Sequence, residues 1–219
     1  MTTSYSDAKI LIFAKAPVAG QVKTRLVPDY TPEQAALIHA NLVHHILATA
    51  IEGQLCSVEL WCTPSTDHPF FESCRKKYQV ELKMQQGDNL GERMFNAFDN
   101  ALKTHQHVIL IGTDCPTLTK ADLEESIIAL TQQCEIAISP AADGGYVLIG
   151  LSRNDSRLFS DIDWGTDYVM QQTYERITHL NYRFSPLRPH CDLDYASDIH
   201  NLEKPLQDIA LRGISDSMS

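Results

Sequence analysis

Short apolar runs alternate with amphipathic stretches along the chain, and this alternation limits the fold more than any other feature. Residues 10–14 and 108–111 are continuous apolar runs of strand length. After Thr31, a Thr-Pro-Glu-Gln segment typical of a capped helix start precedes apolar residues at every fourth position. Strands that alternate with helices predict a three-layer, Rossmann-like α/β fold with a mostly parallel sheet and helices on both faces.

The periodicity predicts seven strands and five helices in one domain. The strands are expected at residues 10–14, 58–62, 80–84, 108–111, 136–138, 146–149 and 182–187. The helices are expected after Thr31, at residues 91–103, after Thr119, and at residues 167–180 and 198–202. The single domain covers residues 1–219, with a core at about 9–204 and a C-terminal tail at 205–219, because Pro205 is expected to interrupt regular structure. The apolar stretch at 146–151 is expected to be an edge strand that could pair with a second copy, which leaves a homo-oligomer open.

Composition excludes several classes of partner. The formal net charge of -10 disfavours binding to nucleic acid and to anionic membranes. No apolar run approaches the ~20 residues of a membrane span, and the N-terminus lacks a signal peptide, so we expect a cytoplasmic protein with free thiols. The six cysteines form no C-x-x-C pair. The nine histidines show no metal-binding spacing. We expect His44 and His45 to lie within a helix on different faces, and we predict that the others, His39 included, lie on the surface.

A cationic loop follows the first predicted strand. Lys15, Lys23 and Arg25 lie within eleven residues, together with the flexible Gly20. Such a group of cations suits a polyphosphate, although a solvated basic loop is the alternative. The loop is neither a Walker motif nor a dinucleotide-binding G-x-G-x-x-G motif.

An aspartate follows the strand at 108–111, in the segment Gly-Thr-Asp-Cys-Pro. Because ligands of such sheets bind beyond the carboxyl ends of the strands, Asp114 is well placed to hold Mg²⁺ or Mn²⁺ through hard oxygen donors. The alternative is that Asp114 only caps the next helix. Thr119 is positioned for that role, so we favour the metal.

Two glycine-containing segments lie after other strands. Asp143, Gly144 and Gly145 would let a substrate approach the backbone closely, but Asp-Gly-Gly is equally typical of a plain hairpin turn. Residues 86–93 contain two glycines and an arginine at the start of a predicted helix, whose N-terminus favours anions. The candidate binding residues of this segment are Gly87, Gly91 and Arg93.

Two further segments contain candidate ligands late in the chain. Asp192 and Asp194 have D-x-D spacing, which places both carboxylates on one side of an extended segment, and one of them could share the metal. For Asp194, a helix cap is the strong alternative. Trp164, beside a glycine, could line an acceptor pocket, although tryptophan is more often part of a core.

Four motifs in this order resemble a known family. They are residues 13–26, 87–94, 111–116 and 140–146. Together they resemble the bacterial glycosyltransferase-like proteins of the nucleotide-diphospho-sugar transferase (GT-A) superfamily over residues 10–202. The same residues are similar to phospholactate guanylyltransferases. The molybdenum-cofactor guanylyltransferases are more distant, and their Gly-Gly-x-x-x-Arg-Met-Gly loop is absent.

The resemblance implies site roles for specific residues. Asp114 would hold a metal that bridges phosphates, and Lys15, Lys23 and Arg25 would face those phosphates. Asp143 or Asp192 would be a further ligand. As residues that bind the substrate, we also predict Ala14 and Thr113, next to the two best-supported motifs.

Three functions remain open at this point. The first is glycosyl transfer from a nucleotide sugar to a small acceptor, with Asp114, Lys23 and Arg25 stabilising the leaving diphosphate and Asp143 acting as the base. The second is nucleotidyl transfer from a nucleoside triphosphate to a phosphorylated acceptor. The third is a non-catalytic nucleotide-binding protein.

Overall fold

The computed structural model describes residues 4–132 and 134–214. The strands are β1 (Ala8–Lys15), β2 (Ser57–Thr63), β3 (Glu81–Met84), β4 (His107–Ile111), β5 (Ile136–Pro140), β6 (Tyr146–Leu151) and β7 (Phe184–Pro186). The helices are α1 (Pro32–Glu52), α2 (Pro69–Tyr78), α3 (Leu90–Ala101), α4 (Lys120–Thr131), α5 (Val169–His179), α6 (Ala196–Asn201) and α7 (Lys204–Ala210). All seven predicted strands and all five predicted helices are present.

The seven strands form one mostly parallel sheet in the order β3-β2-β1-β4-β6-β5-β7. This confirms the predicted fold class. Only β6 runs antiparallel, and it does so to both of its neighbours, β4 and β5. The prediction of an edge strand at 146–151 was therefore wrong. Strand β6 is apolar throughout because both faces of the sheet are covered at this position. Because both of its edges are paired, no edge of β6 is left for pairing with a second copy.

Helices cover both faces of the sheet. Side chains of α1, α2 and α4 pack on one face with Ile10 and Ile12, whereas α3 and α5 pack on the other with Leu11 and Phe13. Alternate residues of β1 thus enter two different cores, which explains why the strand is apolar throughout. None of the helices in residues 4–132 and 134–214 is long and apolar enough to cross a membrane.

Local sequence explains where helices α1 and α4 begin. Both α1 and α4 start with a reciprocal capping box: the side chains of Thr31 and Thr119 accept hydrogen bonds from Gln34 and Asp122, whose own side chains bind back to the caps. Thr119 is therefore the cap of α4, as expected, and Asp114 is not.

Two helices are absent from the sequence prediction. Helix α2 was missed because only Phe71 and Cys74 are buried in it, too few for a clear apolar period. The tail predicted for residues 205–219 is wrong in its first part, because α7 is helical and Ala210 is fully buried against Leu42 of α1 and its neighbours. Pro205 lies in the first turn of α7, where its missing N–H has no intrahelical partner to lose. Residues 215–219 lie outside the described residues.

A buried ionic network joins α4 to the segment that follows β7. Asp122 is 5% exposed; its Oδ2 accepts from the Thr119 backbone at 2.8 Å and from Arg188 Nη2 at 2.7 Å. His190 is also buried, 3.5 Å from Asp122, contrary to the predicted surface position of the histidines. Burial raises the pKa of Asp122, but Arg188 and Thr119 outweigh that effect and hold it well below its usual range.

We expect Asp122→Asn to lower the free energy of unfolding by about 2 kcal/mol, because charge-assisted hydrogen bonds to Arg188 are lost. The native pKa of Asp122 is below its unfolded value, so its contribution is complete above about pH 5 and declines as the pH falls below that value. Urea denaturation at several pH values should therefore show a difference between wild type and variant that shrinks towards acid.

The matched control is Asp208→Asn, which removes an exposed ion pair with Lys204 on α7. This variant should change the free energy of unfolding by less than about 0.5 kcal/mol at every pH. A constant difference between Asp122→Asn and wild type from pH 7 to pH 3 would contradict the prediction.

Candidate active site

A cleft opens beyond the carboxyl ends of β1 and β4. Strands β2 and β3 lie on one side of β1 and β4 lies on the other, so the direction of strand addition reverses between β1 and β4. At such a point the loops that follow the two neighbouring strands run to opposite sides of the sheet, and a crevice opens between them. The cleft here has a volume of about 510 Å³.

Seven of the predicted site residues line this cleft: Ala14, Lys15, Lys23, Arg25, Arg93, Thr113 and Asp114. They come from three segments that are far apart in sequence: the end of β1 with the loop after it, the first turn of α3, and the loop after β4. The other side chains along the cleft are Phe13, Gln21, Val22, Thr24, His39, Thr63, Gln85, Leu90 and Asp194, with Gly112. The cleft therefore combines several cations with carboxylates at one end of the sheet.

Asp114 lies at the floor of the cleft with its two carboxylate oxygens in different environments. Oδ1 is buried and lies 2.8 Å from Lys23 Nζ and 3.9 Å from His39 Nδ1. Because the side chain as a whole is 48% exposed, the accessible oxygen is Oδ2. Burial alone would raise the pKa of Asp114, but Lys23 and His39 together hold it below its ordinary value. Asp114 is thus a fixed anion with one free oxygen.

Lys23 is enclosed rather than extended into the cleft. Its side chain is 3% exposed, and the ammonium contacts Asp114, Asp194 Oδ1 at 3.3 Å and the carbonyl oxygen of Leu193. The Leu193 amide donates in turn to the Asp114 carbonyl at 2.8 Å. The segment after β7 is therefore attached to the loop after β4.

Arg25 and Asp194 form the rim of the cleft. The Arg25 Nη1 atom lies 2.5 Å from Asp194 Oδ2, and its guanidinium lies 5.7 Å from the centre of the Tyr195 ring. Asp194 raises the pKa of Arg25. Asp194 does not cap α6; Asp198 accepts from the Asp194 and Tyr195 amides instead. Arg25 remains 55% exposed and can face a ligand.

His39 is a site residue that the sequence prediction placed wrongly on the surface. It is 4% exposed, and its Nε2 lies 3.0 Å from the Lys15 carbonyl oxygen. Burial lowers its pKa. Its position could have been found from Ala35 and Val43, which lie four residues on either side and are also buried. A polar residue in that row of α1 faces the end of β1.

Gln85 and Arg93 form the wall of the cleft beside β3. The Gln85 side-chain amide donates to the Trp61 carbonyl at 2.8 Å and to the Ala14 carbonyl at 3.5 Å. Arg93 Nε donates to the Gly87 carbonyl at 2.9 Å, and no hydrogen bond of its Nη atoms is found among the described residues. Gln85 was missed because it directly follows β3, outside the glycine-containing motif.

The Asp-Gly-Gly segment forms the hairpin turn between β5 and β6. Asp143 Oδ1 accepts from the Gly145 amide at 3.0 Å, and its side chain is exposed. Gly144 has φ +89° and packs so closely on Asp167 that a Cβ would lie 2.2 Å from the Asp167 carbonyl oxygen. This turn therefore fixes the loop before α5, while substrate binding by Asp143, Gly144 and Gly145 stays a prediction.

Asp192 lies near other carboxylates. Burial, then the charges of Asp143 and Asp114, raise its pKa to about 7. Asp143, Gly144, Gly145 and Asp192 do not line the main cleft, and neither do Gly20, Gly87, Gly91 and Trp164. Gly91 and Trp164 instead line a smaller pocket of about 420 Å³ with Phe159. Their contact is close, because a Cβ on Gly91 would lie 2.7 Å from Trp164 Nε1.

The donor set suits a metal ion only in part. Among the residues that the structure describes, no cluster of three or more His, Cys, Asp or Glu side chains could enclose an ion. Asp114 nevertheless has one free oxygen, and Asp192 is close enough to respond to its charge. This donor set fits Mg²⁺ or Mn²⁺ that arrives with a ligand, because Mg²⁺ commonly binds one or two carboxylates and completes its shell with phosphates and water.

The sheet order, the helices on both faces and the cleft at the switch point together define an α/β protein of the nucleotide-diphospho-sugar transferase fold. Comparison with solved structures agrees. A "putative nucleotide-diphospho-sugar transferase" from Desulfovibrio desulfuricans G20 superposes with a TM-score of 0.80 at 30% identity, covering 87% of this chain and 83% of that one. The chain belongs to the family described as "Uncharacterized protein conserved in bacteria (DUF2064)", whose model matches residues 46–166.

Two more distant structures share the fold alone. One is CMP:2-keto-3-deoxy-manno-octonic acid synthetase complexed with CTP (TM-score 0.57, 13% identity, 90% of this chain and 96% of that one). The other is 4-diphosphocytidyl-2C-methyl-D-erythritol synthase from Anaerococcus prevotii (TM-score 0.57, 10% identity, 92% and 99%). No match was found among curated protein sequences.

Proposed function

We propose that this protein is a transferase whose cleft binds a nucleotide-diphospho-sugar together with Mg²⁺ or Mn²⁺ and transfers the glycosyl group to a small acceptor. The observation that carries the proposal is the pairing of Asp114, a fixed anion with one free oxygen, with exposed cations in the same cleft. A diphosphate with a bound divalent ion has negative phosphate oxygens that suit the cations of the cleft and a positive ion that suits the Asp114 carboxylate. The 30% identical structure named as a nucleotide-diphospho-sugar transferase supports the same ligand class.

Each charged residue has a separate role in this proposal. Asp114, with Asp192 beside it, would hold the ion. Lys15, Arg25 and Arg93 would bind the phosphates, because they line the cleft and Lys23 is enclosed. A bound Mg²⁺ or Mn²⁺ would supply a Lewis acid that offsets negative charge on the phosphates.

The remaining chemistry belongs to the protein's own side chains. As the bond between the anomeric carbon and the diphosphate oxygen breaks, negative charge grows on the leaving diphosphate, and the fixed guanidinium of Arg93 and the Lys15 ammonium stabilise it. The acceptor hydroxyl forms the new bond to the anomeric carbon, and its proton passes to a carboxylate. Asp143 is our candidate base, because its Oδ2 is free of the turn hydrogen bond.

Nucleotidyl transfer is the second candidate function, and a specific observation favours it. Two exposed cations, Lys15 and Arg25, and the half-buried Arg93 exceed the need of a diphosphate and suit a triphosphate. Both distant structures reported above are named as synthetases or synthases of cytidine-nucleotide compounds. In that reaction a phosphorylated acceptor attacks the α-phosphate and pyrophosphate leaves.

A thermal-shift panel tests the proposal. Nucleoside triphosphates, nucleoside diphosphates and nucleotide sugars are each added with Mg²⁺, with Mn²⁺ or with EDTA. A ligand present at 100 times its Kd stabilises by about 2.7 kcal/mol, which is roughly 5 to 10 °C for a chain of this size. We expect the largest shift with a nucleotide sugar and a metal ion.

The outcomes separate the candidates. A triphosphate that exceeds every nucleotide sugar would favour nucleotidyl transfer, to be checked by pyrophosphate release. Strong binding without nucleoside diphosphate release in the presence of varied acceptors would favour a non-catalytic binder. No shift with any nucleotide would reject the proposal altogether.

A further inference from the structure

The Lys23 ammonium lies where three separate segments of the chain meet. It is 2.8 Å from Asp114 Oδ1 and 3.3 Å from Asp194 Oδ1, and it donates to the Leu193 carbonyl at 2.5 Å. With 3% of its side chain exposed, Lys23 has almost no contact with solvent. Two of its three donors form hydrogen bonds, to the Leu193 carbonyl and to Asp194, and Asp114 Oδ1 lies within ion-pair distance of the same ammonium. Two carboxylate oxygens and one carbonyl oxygen thus surround the ammonium, as oxygen ligands surround a bound metal ion.

The backbone of this region is arranged around that position. Lys23 has φ 48° and ψ 39°, a left-handed conformation that lysine seldom adopts, at the start of the short 3-10 helix Thr24–Leu26. The Leu193 amide donates to the Asp114 carbonyl, so the two segments also pair directly. Arg25 binds the remaining oxygen of Asp194. These contacts attach the segment 193–194 to the loop after β1 and to the loop after β4.

The charges explain why a cation is required at this place. Asp114 and Asp194 each direct one carboxylate oxygen at the same point. Without a cation, the two carboxylates would repel each other and the Leu193 carbonyl would lose its partner. In many proteins a metal ion fills a position bounded by two carboxylates and a carbonyl oxygen.

We propose that Lys23 is a built-in counter-ion, a positioning residue that holds Asp114, Leu193 and Asp194 together in the place of a metal ion. The cleft is then assembled before any divalent ion or nucleotide binds. Lys23 also forms an ion pair with the buried Oδ1 of Asp114, which leaves Oδ2 as the oxygen open to a ligand. This inference concerns the assembly of the cleft and does not depend on which group is transferred.

Lys23→Met tests the proposal, because methionine is one heavy atom shorter and leaves the position of the ammonium empty and uncharged. We expect its melting temperature to fall by roughly 4 to 8 °C, since two carboxylates lose their shared partner. Millimolar MgCl₂ should restore at least half of that loss, compared with NaCl at equal ionic strength. Wild type should show no response to MgCl₂ alone, because its cation position is already filled.

Two control variants make the result specific. Lys103→Met removes an exposed ion pair with Asp99 on α3 and should show neither the loss nor the response to Mg²⁺. The double variant Lys23→Met/Asp194→Asn should melt above Lys23→Met and respond less to Mg²⁺, because one of the two unpaired charges is gone. An ordinary structural ion pair would give the loss of stability without any preference for a divalent ion.

The proposal is overturned if Lys23→Met melts like wild type, or if its loss is the same in MgCl₂ and NaCl. If Lys23→Met is unfolded without metal, the variant is refolded separately in MgCl₂ and in NaCl. Folding in MgCl₂ but not in NaCl supports the proposal. Failure to fold in either salt rejects it. No nucleotide is used, so a failure of the proposed transferase function would leave this result unchanged.

Discussion

We expect Asp114→Asn to remove the metal-dependent part of the proposed nucleotide binding while the fold persists. The substitution neutralises the one oxygen that is open to the cleft, and an amide is a poor ligand for Mg²⁺ beside a phosphate. We expect the affinity for the metal–nucleotide complex to fall at least ~100-fold, which removes about 2.7 kcal/mol of ligand stabilisation. Isothermal titration calorimetry with and without EDTA measures this change directly.

The unliganded variant should stay folded, because Lys23 keeps Asp194 and Leu193 as partners. Asp99→Asn is the matched control, since it also removes one negative charge but lies on α3 in an exposed ion pair. It should bind the metal–nucleotide complex like wild type. Unchanged metal-dependent binding in Asp114→Asn would refute the central role that we assign to this carboxylate.

Gly144→Ala is the second variant with a large expected effect. Its φ of +89° already disfavours any side chain, and a Cβ would lie 2.2 Å from the Asp167 carbonyl oxygen and 2.6 Å from its Cα. Both are backbone atoms, so relief requires the turn or the start of α5 to move. We expect a loss of about 3 kcal/mol or more in the free energy of unfolding.

Gly165→Ala separates the collision from the backbone conformation. Gly165 has a similar φ of +85°, but nothing lies within 4 Å of its added Cβ. This control should cost only about 1 kcal/mol. Hydrogen exchange of the Met170 amide, which donates to the Gly144 carbonyl at 2.7 Å, should become faster in Gly144→Ala alone. Equal losses in the two variants would show that the close packing on Asp167 is unimportant.

Much of this fold could be predicted because each strand carries its own signal. Residues 10–14 and 108–111 are apolar throughout since both faces of the sheet are covered, and Thr31 marks the start of α1 by local chemistry alone. The positions of Lys15 and Asp114 followed from the same reasoning, because polar residues directly after parallel strands meet at one edge of the sheet.

The place of β6 inside the sheet and the position of His39 depend on contacts that no local pattern reveals. The connection from β5 to β6 is too short for a crossover, so β6 must run antiparallel to β5, but only the tertiary fold pairs its other side with β4. A histidine is polar, so the sequence predicts that His39 is exposed. In the structure the carbonyl oxygen of Lys15, at the end of β1, provides a hydrogen-bond partner that offsets the cost of burying it.

Lys23 shows a different limit of prediction from sequence. Its place in a basic loop predicts a cation that faces phosphates, whereas the structure encloses its ammonium between Asp114 and Asp194. Those partners lie 91 and 171 residues away along the chain (114 minus 23, and 194 minus 23). No local pattern relates residues at such separations, so which cations stay free in the cleft depends on the tertiary fold.

The attachment of Leu193 to Asp114 has a consequence for the order in which the molecule matures. Domains form from the N-terminal side during synthesis, and the parallel strands β1, β2 and β4 are all complete before residue 193 leaves the ribosome. The wall that residues 193 and 194 contribute is then the last part of the cleft to be put in place. A nascent chain with a finished sheet would still lack this side of the cleft, so the proposed nucleotide binding would have to wait until residues 193 and 194 have docked.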